Sequence, residues 1–233
     1  MPVYQLTRQL AFPAPAEANA MGLLAIGGDL SADRLLLAYR NGIFPWYEAG
    51  MPILWWSPDP RMILDLGALR VSRRLRRTLT RRPFAVRFDT AFASVIHACA
   101  VARRKGQDGT WITPEMERAY IHLHELGYAH SIESWTDGEL VGGLYGLHLG
   151  RAFFGESMFS NRTDASKAAL VGLVGARATL GIDWIDCQVP SEHLKSLGAE
   201  EIPRVEFLRR LDHTLRFPTE RGRWTPGRCG ELP

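Results

Sequence analysis

Three cysteines in 233 residues, Cys99, Cys187 and Cys229, are too few and too irregularly spaced for a disulfide framework or a CxxC metal site. No apolar run approaches the ~20 residues that a membrane helix needs. The opening stretch, MPVYQLTRQLAFPAPAEA, lacks the charged region and apolar block of a secretory leader, and a reducing cytoplasm is the expected home. Internal repeats and low-complexity segments are absent as well. With 46% hydrophobic and 23% charged residues, composition excludes wholesale disorder and supplies enough apolar chain for one large domain or a small one beside a medium one.

What the chain does have is a concentrated charge. Residues 70–82, RVSRRLRRTLTRR, carry seven arginines and no acid, while the remaining 21 basic residues face 25 acidic ones, a balance of −4. Ser72 is placed to cap a helix here, Leu75 and Leu79 share a face at i and i+4, and Pro83 follows. Arg73, Arg77 and Arg81 then form an exposed stripe, with Arg74 and Arg76 beside it. A run of charge is commonly just a solvated face. Arginine without lysine or compensating acid points instead to phosphate, because the guanidinium fork pairs with phosphate oxygens.

Around this element the pattern predicts an α+β chain. A short helix capped by Ser31 and closed by Asn41-Gly42 precedes a rigid Pro- and Trp-dense stretch, with a domain boundary expected near residue 62. Gly27-Gly28 reads as a turn, since no third glycine opens the helix and no apolar strand run feeds the first. Farther on, a strand is expected over 84–89, a helix over 91–104, and a helix from Thr113 and Pro114 to Gly127. Strands follow over 130–136, 139–149 and 151–159, the first two joined by an Asp137-Gly138 hairpin turn. One crossover helix over 164–180, a strand over 182–189 and a helix over 204–215 complete a largely antiparallel, mixed sheet. Residues 214–233 are expected to form a loosely held tail.

Three constellations invite chemistry. His122, His124 and His130 with Glu125 lack the i, i+4 histidine spacing of a zincin, and no metal site is predicted. Cys187 with His193 would suit a thiol nucleophile, though cysteine among β-branched strand residues is usually a packing residue. The strongest joins two strands. Alternation places Phe154, Glu156 and Met158 on one face, and Trp184, Asp186 and Gln188 on one face of the other strand. Two acids and an amide among so many apolar residues describe either a polar patch in an apolar pocket or a strand-end network facing water.

The collinear segments GLLAIGGDLS, NGIFPW, PILWWSPDPR, GTWIT, HELGYAHSIE, LVGGLYG, FGESMFS, ASKAAL, IDCQV and SLGAEEIPR resemble the leucyl/phenylalanyl-tRNA–protein transferase family over residues 22–204. That resemblance implies a small N-terminal domain, residues 1–62, and a larger N-acetyltransferase-like domain, residues 63–233. It implies transfer of leucine or phenylalanine from leucyl-tRNA or phenylalanyl-tRNA to the N-terminal arginine or lysine of a protein, which marks that protein for degradation. It assigns Asp186, Gln188 and Glu156 to catalysis and acceptor binding. Phe153, Met158, Leu170 and Ile185 would line the side-chain pocket, and Trp46 and Trp111 would hold the terminal adenosine of the tRNA. Arg73, Arg74, Arg76, Arg77 and Arg81 would take its phosphates. Methionine is an expected weak substrate, since one methylene is worth about 1–3 kcal/mol. Arg177 and Leu173 depart from the family pattern, leaving the preference between leucine and phenylalanine open. No cofactor is expected, and a monomer suffices.

Two rival classes are weighed against this. A CoA-dependent N-acetyltransferase needs a Gly-rich turn before its crossover helix, yet SNRTDASKAAL has no glycine. A plain RNA-binding module explains the arginines and not the acidic pair.

Overall fold

The computed structural model describes residues 3–81, 83–102 and 110–225. The chain opens with two strands, β1 (Tyr4–Leu6) and β2 (Leu23–Gly27), then helix α1 (Ala32–Arg40) and strands β3 (Phe44–Pro45) and β4 (Leu54–Trp56). These strands form a four-stranded sheet in the order β1-β2-β4-β3. Ser31 accepts a hydrogen bond from the Arg34 amide and so caps α1. Contrary to expectation, an apolar strand does lead into Gly27-Gly28. Leu24 and Ala25 are buried in β2, and both glycines then adopt positive φ.

The second sheet begins with β5 (Arg61–Asp65). Helix α2 (Arg73–Thr80) is capped by Ser72 Oγ on the Leu75 amide and is followed by β6 (Ala85–Phe88). Helices α3 (Phe92–Val101) and α4 (Pro114–Glu125) come next, the latter capped by Thr113 Oγ1 on the Met116 amide. A meander of β7 (Ala129–Thr136), β8 (Glu139–Leu149) and β9 (Ala152–Ser160) leads to helices α5 (Ala165–Gly175) and α6 (Arg177–Leu180). Strand β10 (Trp184–Gln188), helix α7 (Glu192–Ser196), β11 (Glu200–Ile202) and α8 (Arg204–Leu215) finish the fold. Asp137 and Gly138 both take positive φ, as a type I′ hairpin requires. The crossover expected as one helix is two: the turn breaks at Ala176, directly after Gly175, a residue that weakens helix propagation by about 1 kcal/mol.

Seven strands pair in the order β11-β5-β10-β9-β8-β7-β6. Every pairing is antiparallel except β9 with β10, whose residues 152–154 run beside 184–186. The architecture is therefore α+β with a mixed, largely antiparallel sheet. One face packs on α1, α3, α4, α8 and the small sheet, through a cluster that runs continuously from Leu24 and Trp55 to Phe154 and Phe207. The other face carries α5 and α6 over Met62, Leu64, Leu144, Phe153 and Ile185. Arg177 opens α6, exposed, with its guanidinium on the Val174 carbonyl, and Leu173 is core.

Residues 216–225 are not the loose tail expected from the sequence. Trp224 is 1% exposed, its amide donates to Asp89 Oδ2, and Thr219 Oγ1 accepts from the Gly150 amide. A tryptophan of this size gains enough by burial to fix a segment otherwise rich in glycine and arginine. Residues 226–233, including Cys229, lie outside the described residues.

Candidate functional site

The parallel ladder between β9 and β10 ends at the pair Phe154–Asp186. Beyond that point both strands bulge. In β9, Gly155 faces Gly146 and Ser157 faces Tyr145, so Glu156 is the extra residue. In β10, Asp186 faces Ile63 and Gln188 faces Met62 of β5, so Cys187 is the extra one. Bulges shift alternation by one and re-aim side chains. That corrects the predicted faces. Phe154 packs in the core against Tyr39, whereas Phe153, Glu156 and Met158 line a cavity on the opposite side; Ile185 and Gln188 line it too, and Asp186 does not.

This cavity has a volume of about 400 Å³. Its apolar wall includes Phe153, Met158, Leu170 and Ile185, so the four residues expected to receive a side chain are brought together. Glu156 and Gln188 stand at its polar end, where Gln188 Nε2 donates to Glu156 Oε1 at 3.0 Å. The other carboxylate oxygen accepts from the Tyr120 hydroxyl at 3.1 Å, and Tyr120 in turn contacts the Tyr39 hydroxyl. Burial pushes the Glu156 carboxyl up to about 8; the hydroxyls of Tyr39 and Tyr120 pull the other way, and the charge of Asp186 adds to the rise. Burial raises both tyrosines well above their ordinary range, so they remain hydroxyl donors.

Gln188 adopts a left-handed backbone, φ 58°, which few non-glycine residues hold without support. The support is Asp186, whose Oδ1 accepts the Gln188 amide at 3.0 Å. Asp186 is itself fully buried and gripped by Arg61 through two bonds, Nε to Oδ1 at 2.8 Å and Nη2 to Oδ2 at 2.6 Å. Arg61 also donates to the Gly42 carbonyl and lies over the rings of Phe44 and Phe207, at 4.7 and 4.5 Å. Asp186 therefore acts from behind the cavity wall, on the backbone of Gln188. Sequence reasoning gave Arg61 no role. Its signal was an arginine opening the apolar run Met62–Leu64, a buried cation that had to have a partner. Tyr39 and Tyr120 gave no signal beyond their apolar periodicity.

Trp111 lines the cavity, while Trp46 lies outside its wall on the small sheet, exposed and tilted against Trp56 with ring centroids 5.9 Å apart. A contact between the Tyr47 hydroxyl and Thr113 Oγ1, 3.3 Å, ties the two tryptophan-bearing segments together. Arg73, Arg74, Arg76, Arg77 and Arg81 are all exposed, and none has an acidic partner among the described residues.

The remaining constellations resolve structurally. His122 is exposed beside Glu125, His124 Nδ1 donates to the Ala129 carbonyl, and His130 Nδ1 bonds Asp89. Burial drives the Cys187 thiol far up, which disfavours the thiolate a nucleophile needs. At the start of α5 the Ala165 and Ser166 amides bond the Arg162 carbonyl and Ser160 Oγ, so they are not open to a pyrophosphate. No helix among the described residues is long and apolar enough to cross a membrane.

Comparison with known proteins places the whole chain among its relatives. A family model described as leucyl/phenylalanyl-tRNA protein transferase matches residues 63–212, and one described as its N-terminal domain matches residues 28–59. The chain is 57% identical over 225 residues to the leucyl/phenylalanyl-tRNA–protein transferase of Desulfatibacillum aliphaticivorans, covering 97% of each chain. It is 56% identical over 234 residues to that of Syntrophobacter fumaroxidans, covering 100% of each. Among solved structures, L-PGS from Bacillus licheniformis overlays with a TM-score of 0.39 at 13% identity, over 86% of this chain and 66% of that one.

Proposed function

The chain belongs to the leucyl/phenylalanyl-tRNA–protein transferase family, and from that premise we propose that it moves leucine or phenylalanine from aminoacyl-tRNA to the N-terminal arginine or lysine of proteins, marking them for degradation. The observation that carries this reading is an apolar cavity of about 400 Å³ whose polar end is Glu156 bonded to Gln188. The cavity takes the leucyl or phenylalanyl side chain, and its polar end takes the acceptor. Methionine fits as a weak donor, because an apolar wall discriminates one methylene by only about 1–3 kcal/mol; β-branched side chains are rejected by shape.

The aminoacyl ester is already activated, so the protein mainly has to place the two reactants. Orientation alone can supply roughly 7–11 kcal/mol. Gln188 spends its amide nitrogen on Glu156, which leaves its amide oxygen to accept from the attacking α-amine. Asp186 and Arg61 fix the backbone on which Gln188 depends and are positioning residues. The amine nitrogen bonds to the ester carbonyl carbon, the bond to the terminal ribose oxygen breaks, and the amine's proton passes to that oxygen by way of the neighbouring ribose hydroxyl. Glu156 holds the acceptor's positive charge. A cation in the site favours the carboxylate form that burial otherwise opposes.

Trp111 at the cavity and Trp46 on the adjoining sheet hold the terminal adenosine, stacking being worth roughly 1–3 kcal/mol per base. The arginines of α2 take the phosphates of the acceptor arm, contacts that position the tRNA without reading its sequence. Residues 1–62 and 63–233 form two functional units, a division supported by family models that end at 59 and begin at 63, although the large sheet already starts at Arg61 of β5. The enzyme works as a monomer in the cytoplasm, where charged tRNA is made. The test uses leucine-charged tRNA with two peptides that differ only in a first residue of arginine or alanine, read by mass, and acetyl-CoA as donor in a parallel reaction. Leucine on the arginine peptide alone is expected. No transfer from tRNA overturns the reading, whether or not acetylation occurs.

A further inference from the structure

After α8 the chain turns back across the ends of the large sheet. It passes so close that a Cβ on Gly127, at φ 79°, would lie 2.2 Å from the Gly222 nitrogen; the end of α8 presses as near, a Cβ on Gly150 lying 2.3 Å from the Thr214 carbonyl oxygen. Residues 219–224 are bonded down at three points, by Thr219 to Gly150, Gly222 to Gly127 and Trp224 to Asp89. This strap delivers the Trp224 ring to the inside of the fold. There it stacks flat on His130, centroids 3.9 Å apart and planes 2° from parallel, and meets Phe153 at 5.9 Å. Phe153 is the other side of that contact: it is fully buried and forms part of the cavity wall. Leu144 and Leu170, which also line the cavity, belong to the same apolar cluster as Trp224.

We propose that Trp224 is a specificity-determining residue, which sets the depth of the aminoacyl side-chain cavity by backing the Phe153 ring. It touches no substrate and acts through Phe153. The inference rests on the reading of this cavity as the leucine and phenylalanine pocket. Its physical basis is packing density. A core ring cannot yield unless the atoms behind it are removed, and truncating a buried aromatic leaves space that neighbours fill only in part. Removing Trp224 lets Phe153 swing back and deepens the pocket, so the longer, planar phenylalanyl side chain gains relative to leucyl.

The experiment compares wild type, W224F and W224A in leucyl and phenylalanyl transfer from tRNA to a peptide with N-terminal arginine. The specificity ratio, phenylalanine over leucine in kcat/KM, is expected to rise by about tenfold in W224A and by less in W224F, since one methylene's worth of pocket space is worth ten- to two-hundredfold in discrimination. The peptide KM is expected to stay at its wild-type value. Near-ultraviolet circular dichroism checks that each variant is folded, and W224F keeps the comparison available should W224A not fold. An equal fall for both donors, or a ratio unchanged within twofold, overturns the proposal and leaves the strap as a structural staple. Wild-type leucyl transfer in the same assay tests the underlying reading separately. If wild type itself transfers neither amino acid, it is the pocket assignment that fails.

Discussion

Helix α2 and strand β5 both present arginine, under opposite conditions. On α2, Arg73, Arg74, Arg76 and Arg77, with Arg81 at its end, stand in water without an acidic partner among the described residues. On β5, Arg61 is fully buried, bidentate to Asp186, bonded to Gly42 and covered by two aromatic faces. In water two unit charges 4 Å apart exchange about 1 kcal/mol, and salt screens them beyond roughly 8 Å. Exposed guanidiniums of the α2 kind therefore contribute additively, each modestly and only within about a Debye length of an opposite charge. Inside the fold the loss of hydration is large, and only complete geometry offsets it. Arg61 is consequently an all-or-none element that fixes shape, whereas the proposed role of α2 in holding tRNA is a graded one.

The largest expected effect comes from breaking the buried element. R61A should lower stability by about 3–5 kcal/mol, read from urea denaturation, because it strands the Asp186 carboxylate. The double variant R61M/D186L sharpens the point. Stability should largely return, as replacing a buried pair with apolar groups often allows, while transfer stays lost because the Gln188 amide has no acceptor. Leucyl transfer at the wild-type rate by that double variant would show that the two arginine environments differ less than their geometry says.

Glu156 gives an intermediate effect, read through pH. Its folded value of about 8 exceeds its ordinary 4.5, so between these values the folded protein keeps a proton that the unfolded chain has released. Stability from this group is thus full below about 4.5 and declines as pH rises toward 8. E156Q carries no such penalty, and its melting temperature should gain on wild type from pH 5 to pH 8.5. Catalysis should move the other way, with kcat/KM for an arginine peptide falling by on the order of 10²-fold at pH 8. Its dependence on pH below 8 should drop from a slope of two to one, since only the acceptor amine then remains to be deprotonated. A slope of two retained in E156Q would remove Glu156 from acceptor binding.

The smallest effect on the fold belongs to α2. R73A/R77A should leave stability within about 0.5 kcal/mol per site, while the salt dependence of tRNA binding loses about one unit of slope for each phosphate contact removed. Filter binding from 50 to 300 mM salt checks this, and a parallel, unconverging pair of lines would mean that those arginines do not meet phosphate.

Local signals in the sequence located most of the elements. Ser31, Ser72 and Thr113 cap helices as their positions imply, and the Asp137-Gly138 turn sets the hairpin. Phe153, Met158, Leu170 and Ile185 line one cavity, as the resemblance implied; Met158 and Ile185 belong to the family runs FGESMFS and IDCQV, and Phe153 stands directly before the first of them. What failed were inferences that needed strict alternation or long-range pairing. One extra residue in each of β9 and β10 reversed the face on which Phe154 and Asp186 lie, and a bulge leaves no signature in apolar periodicity. Arg61 finds its partner 125 residues away. Trp224 stands in a stretch whose glycine, proline and arginine read as solvent-exposed, and its anchor, Asp89, is 135 residues distant. The boundary expected near 62 falls inside β5, since the small sheet's last strand ends at Trp56 and the large sheet starts at Arg61, and one apolar cluster runs through both sheets.

That separation of 125 residues between Arg61 and Asp186 has a kinetic consequence. Closing so long a loop is entropically expensive before any contact rewards it, and β10 has no place to dock until β5 and β9 are both in position. The β7–β8–β9 meander is built from adjacent segments, so it is expected to form first and β10 to join afterwards. Chevron measurements on R61M should accordingly show the folding arm nearly unmoved and the unfolding arm raised. With that outcome, damage to the Arg61–Asp186 pair would shorten the lifetime of the native state without obstructing the route to it.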